Sequence, residues 1–169
     1  RAGIVPDMVT LSKSISGYGL PMALLLIKPE LDIWKPAEHN GTFRGNQLAF
    51  VGAKAALEYR KQHKLEEKTQ KYEALIYNFV TERLLPMDKY LRHRGIGLIH
   101  GIDFGAVEIE NAAGLGAHEC FENGLIIERA GRGDSVLKIM PALTIEEDEL
   151  IKGLEIIEQS MKKVLLGNK

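Results

Sequence analysis

The sequence predicts an α/β fold, and two observations lead to that prediction. The apolar runs Met8 to Leu11 and Met22 to Ile27 lack polar alternation, which is typical of strands covered on both faces in an α/β sheet. Farther along the chain, short apolar runs lie between segments with helical periodicity. Because strands alternate with helices, we expect helices packed against a sheet.

Four segments have the apolar repeat of a helix: Gln47 to about His63, Lys64 to Leu85, Asn111 to Asn123, and Ile145 to Leu166. Asn46 is a good N-cap for the first helix, and Pro86 ends the second. Thr144, followed three residues later by Glu147, predicts a capping box at the start of the last helix.

Three further strands are predicted between the helices: Gly95 to Phe104, Leu125 to Glu128, and Val136 to Met140. Gly95 and Gly97 do not complete a nucleotide-binding fingerprint, because position 100 is His100, so we interpret them as sites of close backbone packing. His100 is expected to be a structural residue, since no second ligand stands at metal spacing around it.

Composition restricts the classes of partner and the compartment. The 169 residues carry a net charge of -1, which gives no electrostatic case for nucleic acid or an acidic membrane. No apolar stretch is long enough to span a bilayer. Cys120 is the one cysteine, which excludes an internal disulfide and favours a reducing cytoplasm.

Lys13 lies where the first predicted strand ends, in a loop rich in serine and glycine. A lysine whose amine loses its proton can form a Schiff base with a carbonyl compound or with pyridoxal phosphate. Periodicity alone favours a solvated surface lysine, because most lysines are solvated. A second polar segment, His39 to Asn46, leads into a helix start and is either a phosphate site or an ordinary capped helix.

Two stretches, PDMVTLSKSISGYGLPMALLLIKPEL and EHNGTFRGNQLAF, resemble the cofactor-lysine and phosphate segments of class III aminotransferases. Asp7, Thr10 and Lys13 match the family pattern Asp-x-x-Thr-x-x-Lys, and the Thr-Phe-x-Gly-Asn motif begins at Thr42. Gln47 stands where the family often has Pro. The resemblance covers nearly the whole chain and is strongest in the first fifty residues.

The resemblance implies the end of a fold type I enzyme that uses pyridoxal 5'-phosphate. Residues 1–45 would be the C-terminal part of the large cofactor-binding domain, residues 46–63 a linking helix, and residues 64–169 the C-terminal small α/β domain. The chain opens with Arg1 and not with Met, and the resemblance implies that it is the C-terminal portion of a longer protein. If the polypeptide itself began at Arg1, only a few strands of the large sheet would be present, and their apolar edges would be expected to lie open.

The resemblance also assigns site residues. Lys13 would be the catalytic residue, bound to the cofactor, and Thr42 would bind the cofactor phosphate of a neighbouring subunit in a homodimer or tetramer with shared active sites. Many members hold the substrate carboxylate with an arginine before a Pro-x-Leu turn. Lys138 occupies that place here, Arg129 is a nearby substitute, and Arg132 is expected to be a surface charge. No metal site is expected.

The reaction implied by the resemblance is transfer of an amino group from glutamate to aspartate 4-semialdehyde. The products would be 2-oxoglutarate and 2,4-diaminobutyrate, as in ectoine biosynthesis. Two alternatives stay open. One is another class III ω-aminotransferase, of the ornithine type or from a siderophore pathway. The other is a non-catalytic fragment that acts only as a structural or dimerising domain.

Overall fold

The computed structural model describes residues 3–17 and 19–167, so Tyr18 of the cofactor-lysine stretch and both chain ends lie outside the described residues. Contacts between residues divide the chain into two compact units, residues 1–64 and residues 65–169. The finer division into a domain end, a linking helix and a small domain stays a prediction. No helix among the described residues is long and apolar enough to cross a membrane.

The first unit contains an antiparallel pair of strands and one long helix. The elements are β1 (Met8–Leu11), β2 (Leu24–Ile27) and α1 (Gln47–Gln62). Asn46 caps α1 as predicted, because its Oδ1 accepts a hydrogen bond from the Ala49 amide at 3.2 Å. The expectation that both strands are covered on both faces is wrong for this unit, since Met8 and Leu26 are 59% and 54% exposed.

A short 3₁₀ turn, Lys13–Ser16, follows β1 and rests on α1. A methyl group at Gly52 would lie 2.9 Å from the Ser16 carbonyl oxygen, and one at Gly17 would lie 2.9 Å from the Ala56 Cβ. Ser16 is 3% exposed. The absence of side chains at these two glycines therefore brings the turn and the helix into direct backbone contact.

The second unit packs helices against a four-stranded antiparallel sheet of order β3-β4-β6-β5. Its strands are β3 (Arg92–Ile96), β4 (Ile99–Asp103), β5 (Glu128–Ala130) and β6 (Val136–Ile139), and its helices are α2 (Leu65–Phe79), α3 (Ala112–Glu122) and α4 (Glu147–Leu166). Ile102 and Leu137 of the sheet are fully buried together with Ile76 of α2 and Met161 of α4. These side chains form one continuous core.

Two predicted strands are placed differently by the structure. The segment Gly95 to Phe104 is not one strand, because Gly97 has φ +58° and turns the chain into the β3–β4 hairpin. Gly95 is a site of close packing as interpreted, since a side chain there would collide with the His100 ring. The strand predicted at Leu125 to Glu128 begins only at Glu128, where pairing with β6 starts.

The ends of two helices also differ from their predictions. The regular turns of α2 stop at Phe79, and a π-helical turn (Val80–Leu84) follows. A 3₁₀ turn (Leu85–Met87) then contains Pro86, which has no amide hydrogen to continue an α-helix. The prediction of a capping box at the start of the last helix is wrong. Glu146 is the N-cap of α4 without a side-chain hydrogen bond, and Glu147 pairs with Lys71 of α2 instead.

His93 and His100 form a hydrogen-bonded pair across the β3–β4 hairpin. His100 Nε2 donates to the Gly97 carbonyl at 2.9 Å, which leaves its Nδ1 to accept from His93 Nε2 at 2.9 Å. Burial lowers the pKa of both imidazoles, and the Gly97 hydrogen bond and the nearby Glu73 charge only partly oppose this for His100. His100 is therefore the satisfied structural residue that the sequence indicated.

We predict that substitution of two helical glycines has opposite effects on stability. Gly52→Ala should lower the free energy of unfolding by about 1–3 kcal/mol, because the new methyl group collides with the Ser16 carbonyl. Gly153→Ala on α4 meets only Leu125 Cδ1 at 3.8 Å and should raise it by up to about 1 kcal/mol through helix propensity. Urea unfolding monitored by circular dichroism measures both. Equal stabilisation by the two substitutions would contradict the close contact.

We predict that acid weakens the second unit through the histidine pair. Because the folded-state pKa values lie below the ordinary value of 6.5, the unfolded chain takes up protons first as the pH falls. The contribution of the histidine pair to the free energy of unfolding should be fully present above pH 6.5 and should decline as the pH falls below it. Urea unfolding at several pH values measures this decline, and His100→Gln should flatten it between pH 6.5 and 5. A variant that declines as steeply as the parent protein would rule out the pair as the cause.

Candidate active site

Lys13 stands at the end of β1 with its side chain exposed. Its backbone has φ +59°, in the left-handed region that side chains other than those of Gly, Asn and Asp rarely adopt. Within residues 3–17 and 19–167, no hydrogen bond or ion pair engages its ammonium group. The structure therefore presents this amine on a strained backbone, accessible and with no partner among the described residues.

Contacts between β1 and β2 hold the strand that leads to Lys13. Asp7, at the other end of β1, holds β2 through an ion pair with Lys28 at 2.5 Å, and its carbonyl accepts the Lys28 amide at 3.1 Å. Thr10 pairs with Leu25 across the two strands. The three residues of the Asp-x-x-Thr-x-x-Lys pattern thus lie along one strand and its following turn.

Thr42 lies in the exposed loop that leads into α1. The Arg44 amide donates to the Gly41 carbonyl at 3.0 Å, which closes a turn with Thr42 and Phe43 at its tip. The Thr42 hydroxyl makes no hydrogen bond to any residue that the structure describes. No hydrogen bond joins Lys13 to Thr42 either, so the structure does not link the two predicted cofactor residues directly.

One contact in this loop was missed by the sequence reasoning. The guanidinium of Arg44 donates a hydrogen bond to Nε2 of His39, and the His39 ring lies 5.0 Å from the Trp34 ring. Both polar residues stood in the segment that predicted a phosphate site, but nothing in their spacing indicated that they touch.

Lys138, the predicted carboxylate-binding residue, lies on β6 directly opposite Glu128 of β5. The two side chains form an ion pair, and the hydrogen bond and charge of Lys138 hold the pKa of Glu128 below its ordinary value of 4.5. Glu128 is largely exposed, so the pair is open to exchange with a solute anion. A substrate carboxylate at Lys138 would compete with Glu128.

Arg129 does not share a face with Lys138. Successive residues of a strand point to opposite faces, and Arg129 pairs with Leu137 while Glu128 pairs with Lys138. The Arg129 guanidinium lies 3.5 Å from Oδ1 of Asn111, the N-cap of α3. The two predicted substrate residues are therefore neighbours in the sheet but are not brought together. Arg132 is exposed in a 3₁₀ turn.

A cavity of about 460 Å³ lies beside Lys138, between α4 and the strands β5 and β6. Its walls are mainly apolar and come from distant parts of the sequence: Leu125, Ile127, Ile139, Ile145, Leu154 and Ile157. No sequence pattern predicted it, because its walls meet only in the folded unit. Among the described residues, no group of three His, Cys, Asp or Glu side chains is placed to hold a metal ion.

Comparison with known sequences identifies relatives along the whole chain. The family model described as aminotransferase class-III matches residues 1–161. Diaminobutyrate–2-oxoglutarate transaminases of Bordetella parapertussis and Nocardia farcinica are 48% and 49% identical over 167 and 169 residues. These matches cover 97% and 98% of this chain but 38% and 37% of the relatives, so the chain spans less than two fifths of their length.

Comparison with solved structures agrees. The ornithine aminotransferase of Toxoplasma gondii, whose active site holds pyridoxal phosphate at partial occupancy, matches with a TM-score of 0.87 at 25% identity. The match covers 96% of this chain and 38% of that chain. The resemblance inferred from the lysine and threonine segments is confirmed: this chain belongs to the class-III aminotransferases and has the corresponding part of the fold type I architecture.

Proposed function

We propose that the protein carrying this chain is a pyridoxal-phosphate-dependent aminotransferase. In this proposal it converts glutamate and aspartate 4-semialdehyde to 2-oxoglutarate and 2,4-diaminobutyrate, a step of ectoine biosynthesis. The observation that carries the proposal is Lys13, an accessible amine on a backbone held at φ +59°. Strained backbone of this kind persists where the surrounding structure over-determines it, and it collects at functional sites. The names of the relatives support the choice of substrates.

The side chains present fit the cofactor. An aldehyde that carries a phosphate needs an amine for its carbonyl carbon and hydrogen-bond donors for its phosphate. Lys13 supplies an exposed amine, and Thr42 supplies a hydroxyl on the exposed loop before α1; neither group has a hydrogen-bond partner within residues 3–17 and 19–167. When bound, the cofactor supplies an electron sink that stabilises negative charge on the substrate α-carbon.

Each residue has a defined task in this proposal. Lys13 Nζ would hold the aldehyde carbon of the cofactor. The same Nζ, when free, would act as general base and general acid for the proton of the substrate α-carbon. The Thr42 hydroxyl donates to a phosphate oxygen in the neighbouring subunit. Lys138 attracts a substrate carboxylate as a point charge after exchange with Glu128.

The oligomer and the compartment also belong to the proposal. Delivery of Thr42 to a neighbouring subunit requires a homodimer or tetramer with shared active sites. The highly exposed side chain of Phe43, at 97%, supports burial of this loop by a second copy. The buried free thiol of Cys120 supports a cytoplasmic location. The match to an ornithine aminotransferase favours an ornithine-type ω-aminotransferase as the second candidate.

We predict that borohydride reduction of the full-length protein with bound cofactor adds a pyridoxyl-phosphate group to Lys13. Lys13→Ala should abolish this labelling and lower kcat by about 10²- to 10⁴-fold or more, because the proton carrier is lost. Mass spectrometry of the intact protein and its peptides measures the labelling. Lys54→Ala, at an exposed lysine of α1, is the matched control and should keep it.

A second variant separates chemistry from folding. Lys13→Gly also lacks the amine. Its free energy of unfolding should be about 1 kcal/mol higher than that of Lys13→Ala, because glycine adopts positive φ without strain. Labelling at another lysine, or full activity of Lys13→Gly, would refute the proposal. A product assay with ornithine and with 2,4-diaminobutyrate separates the two candidate reactions.

We predict that Glu128→Gln improves substrate binding if Lys138 holds a substrate carboxylate. Removal of the competing carboxylate should lower KM for glutamate by about two- to fivefold, the range expected for an exposed ion pair. Lys138→Ala should raise KM. Steady-state kinetics measures both, with Glu155→Gln on the exposed side of α4 as the charge control. An unchanged KM in both variants would assign Lys138 a structural role.

A further inference from the structure

Arg44 carries a positive charge that no carboxylate neutralises in the part of the chain that the structure describes. Its guanidinium donates instead to Nε2 of His39. Arg94 illustrates the usual arrangement, since it donates to the Asp103 carboxylate at 2.8 Å. The loop before α1 therefore presents an uncompensated guanidinium within two residues of Thr42.

The contact with His39 positions this charge without cancelling it. A guanidinium has donors and no acceptor, and it stays protonated. Nε2 of His39 is then the acceptor of this hydrogen bond. The Trp34 ring lies 5.0 Å from the His39 ring in a tilted orientation. Arg44 keeps its full charge and its remaining N–H donors.

The backbone explains how Arg44 reaches His39. Its side chain folds back over Gly41, where a methyl group would lie 3.0 and 3.1 Å from the Arg44 Cγ and Cδ. The Arg44 amide also donates to the Gly41 carbonyl at 3.0 Å. The same residue therefore closes the turn and lays its charged group against the loop that carries Thr42.

We propose that Arg44 binds an anionic oxygen group at the site that Thr42 serves. A planar guanidinium is suited to bidentate binding of phosphate or carboxylate, and it binds most strongly when no protein carboxylate competes. The anion is either the cofactor phosphate or a carboxylate of the amino-acid substrate, which share this chemistry. Thr42 and Arg44 are binding residues, and His39 and Gly41 are positioning residues. The inference rests on the proposed function, because that function supplies the anion.

The test uses the full-length protein with Arg44→Gln, Arg44→Lys and His39→Leu. If the anion is the cofactor phosphate, Arg44→Gln raises the Kd for pyridoxal phosphate by about tenfold or more and leaves the Kd for pyridoxal unchanged. If it is the substrate carboxylate, the cofactor Kd is unchanged and KM for glutamate rises by a similar factor. Either result supports the inference. His39→Leu should give a smaller increase of the same constant, and Arg44→Lys an intermediate one.

The controls separate failure of this inference from failure of the proposed function. Lys35→Gln removes an exposed charge near the same loop and should change neither constant. Absorbance titration of the apoprotein gives each Kd, and unfolding midpoints check that the variants fold. If the parent protein does not form a reducible adduct at Lys13, the proposed function fails. If it does, and Arg44→Gln and Arg44→Lys both keep the parent Kd and KM, the inference alone is overturned.

Discussion

The contact between the Ser16 carbonyl and the bare surface of α1 at Gly52 is the constraint on which the proposed active site depends. A helix surface without a side chain lets a backbone oxygen approach within ordinary contact distance, which any larger residue prevents. Because Ser16 is buried there, the turn that begins with Lys13 has one position relative to the helix. Ser16 and Gly52, which have no catalytic role in the proposed function, thus determine where the amine lies.

The strained backbone of Lys13 is a consequence of that constraint. A lysine in the left-handed region costs roughly 1–2 kcal/mol, and the cost is tolerated where neighbouring contacts fix the chain on both sides. On one side β1 pairs with β2, and on the other the Gly17 amide donates to the Ser14 carbonyl at 3.0 Å. Arg44 is also held by neighbouring contacts, through its side-chain hydrogen bond to His39 and the bond from its amide to the Gly41 carbonyl.

In the second unit, strand register decides which charged residues can act together. Glu128 faces Lys138 because the two are paired in the β5–β6 ladder. Arg129 is the next residue of β5, so its side chain lies on the opposite face of the sheet. A motif comparison places Lys138 and Arg129 in one neighbourhood, but the ladder separates their side chains. The carboxylate of Glu128 then becomes part of any account of how Lys138 recognises a substrate.

The sequence by itself determined the positions of β1 and α1, the Asn46 cap, and the lysine and threonine segments, because periodicity, capping and motif spacing are local properties. Tertiary structure alone decided the β3–β4 hairpin and the start of β5. It also decided that Glu147 forms an ion pair with Lys71 and not the predicted capping box. The physical reason is that a partner is chosen by register and packing between distant segments, which no local pattern records.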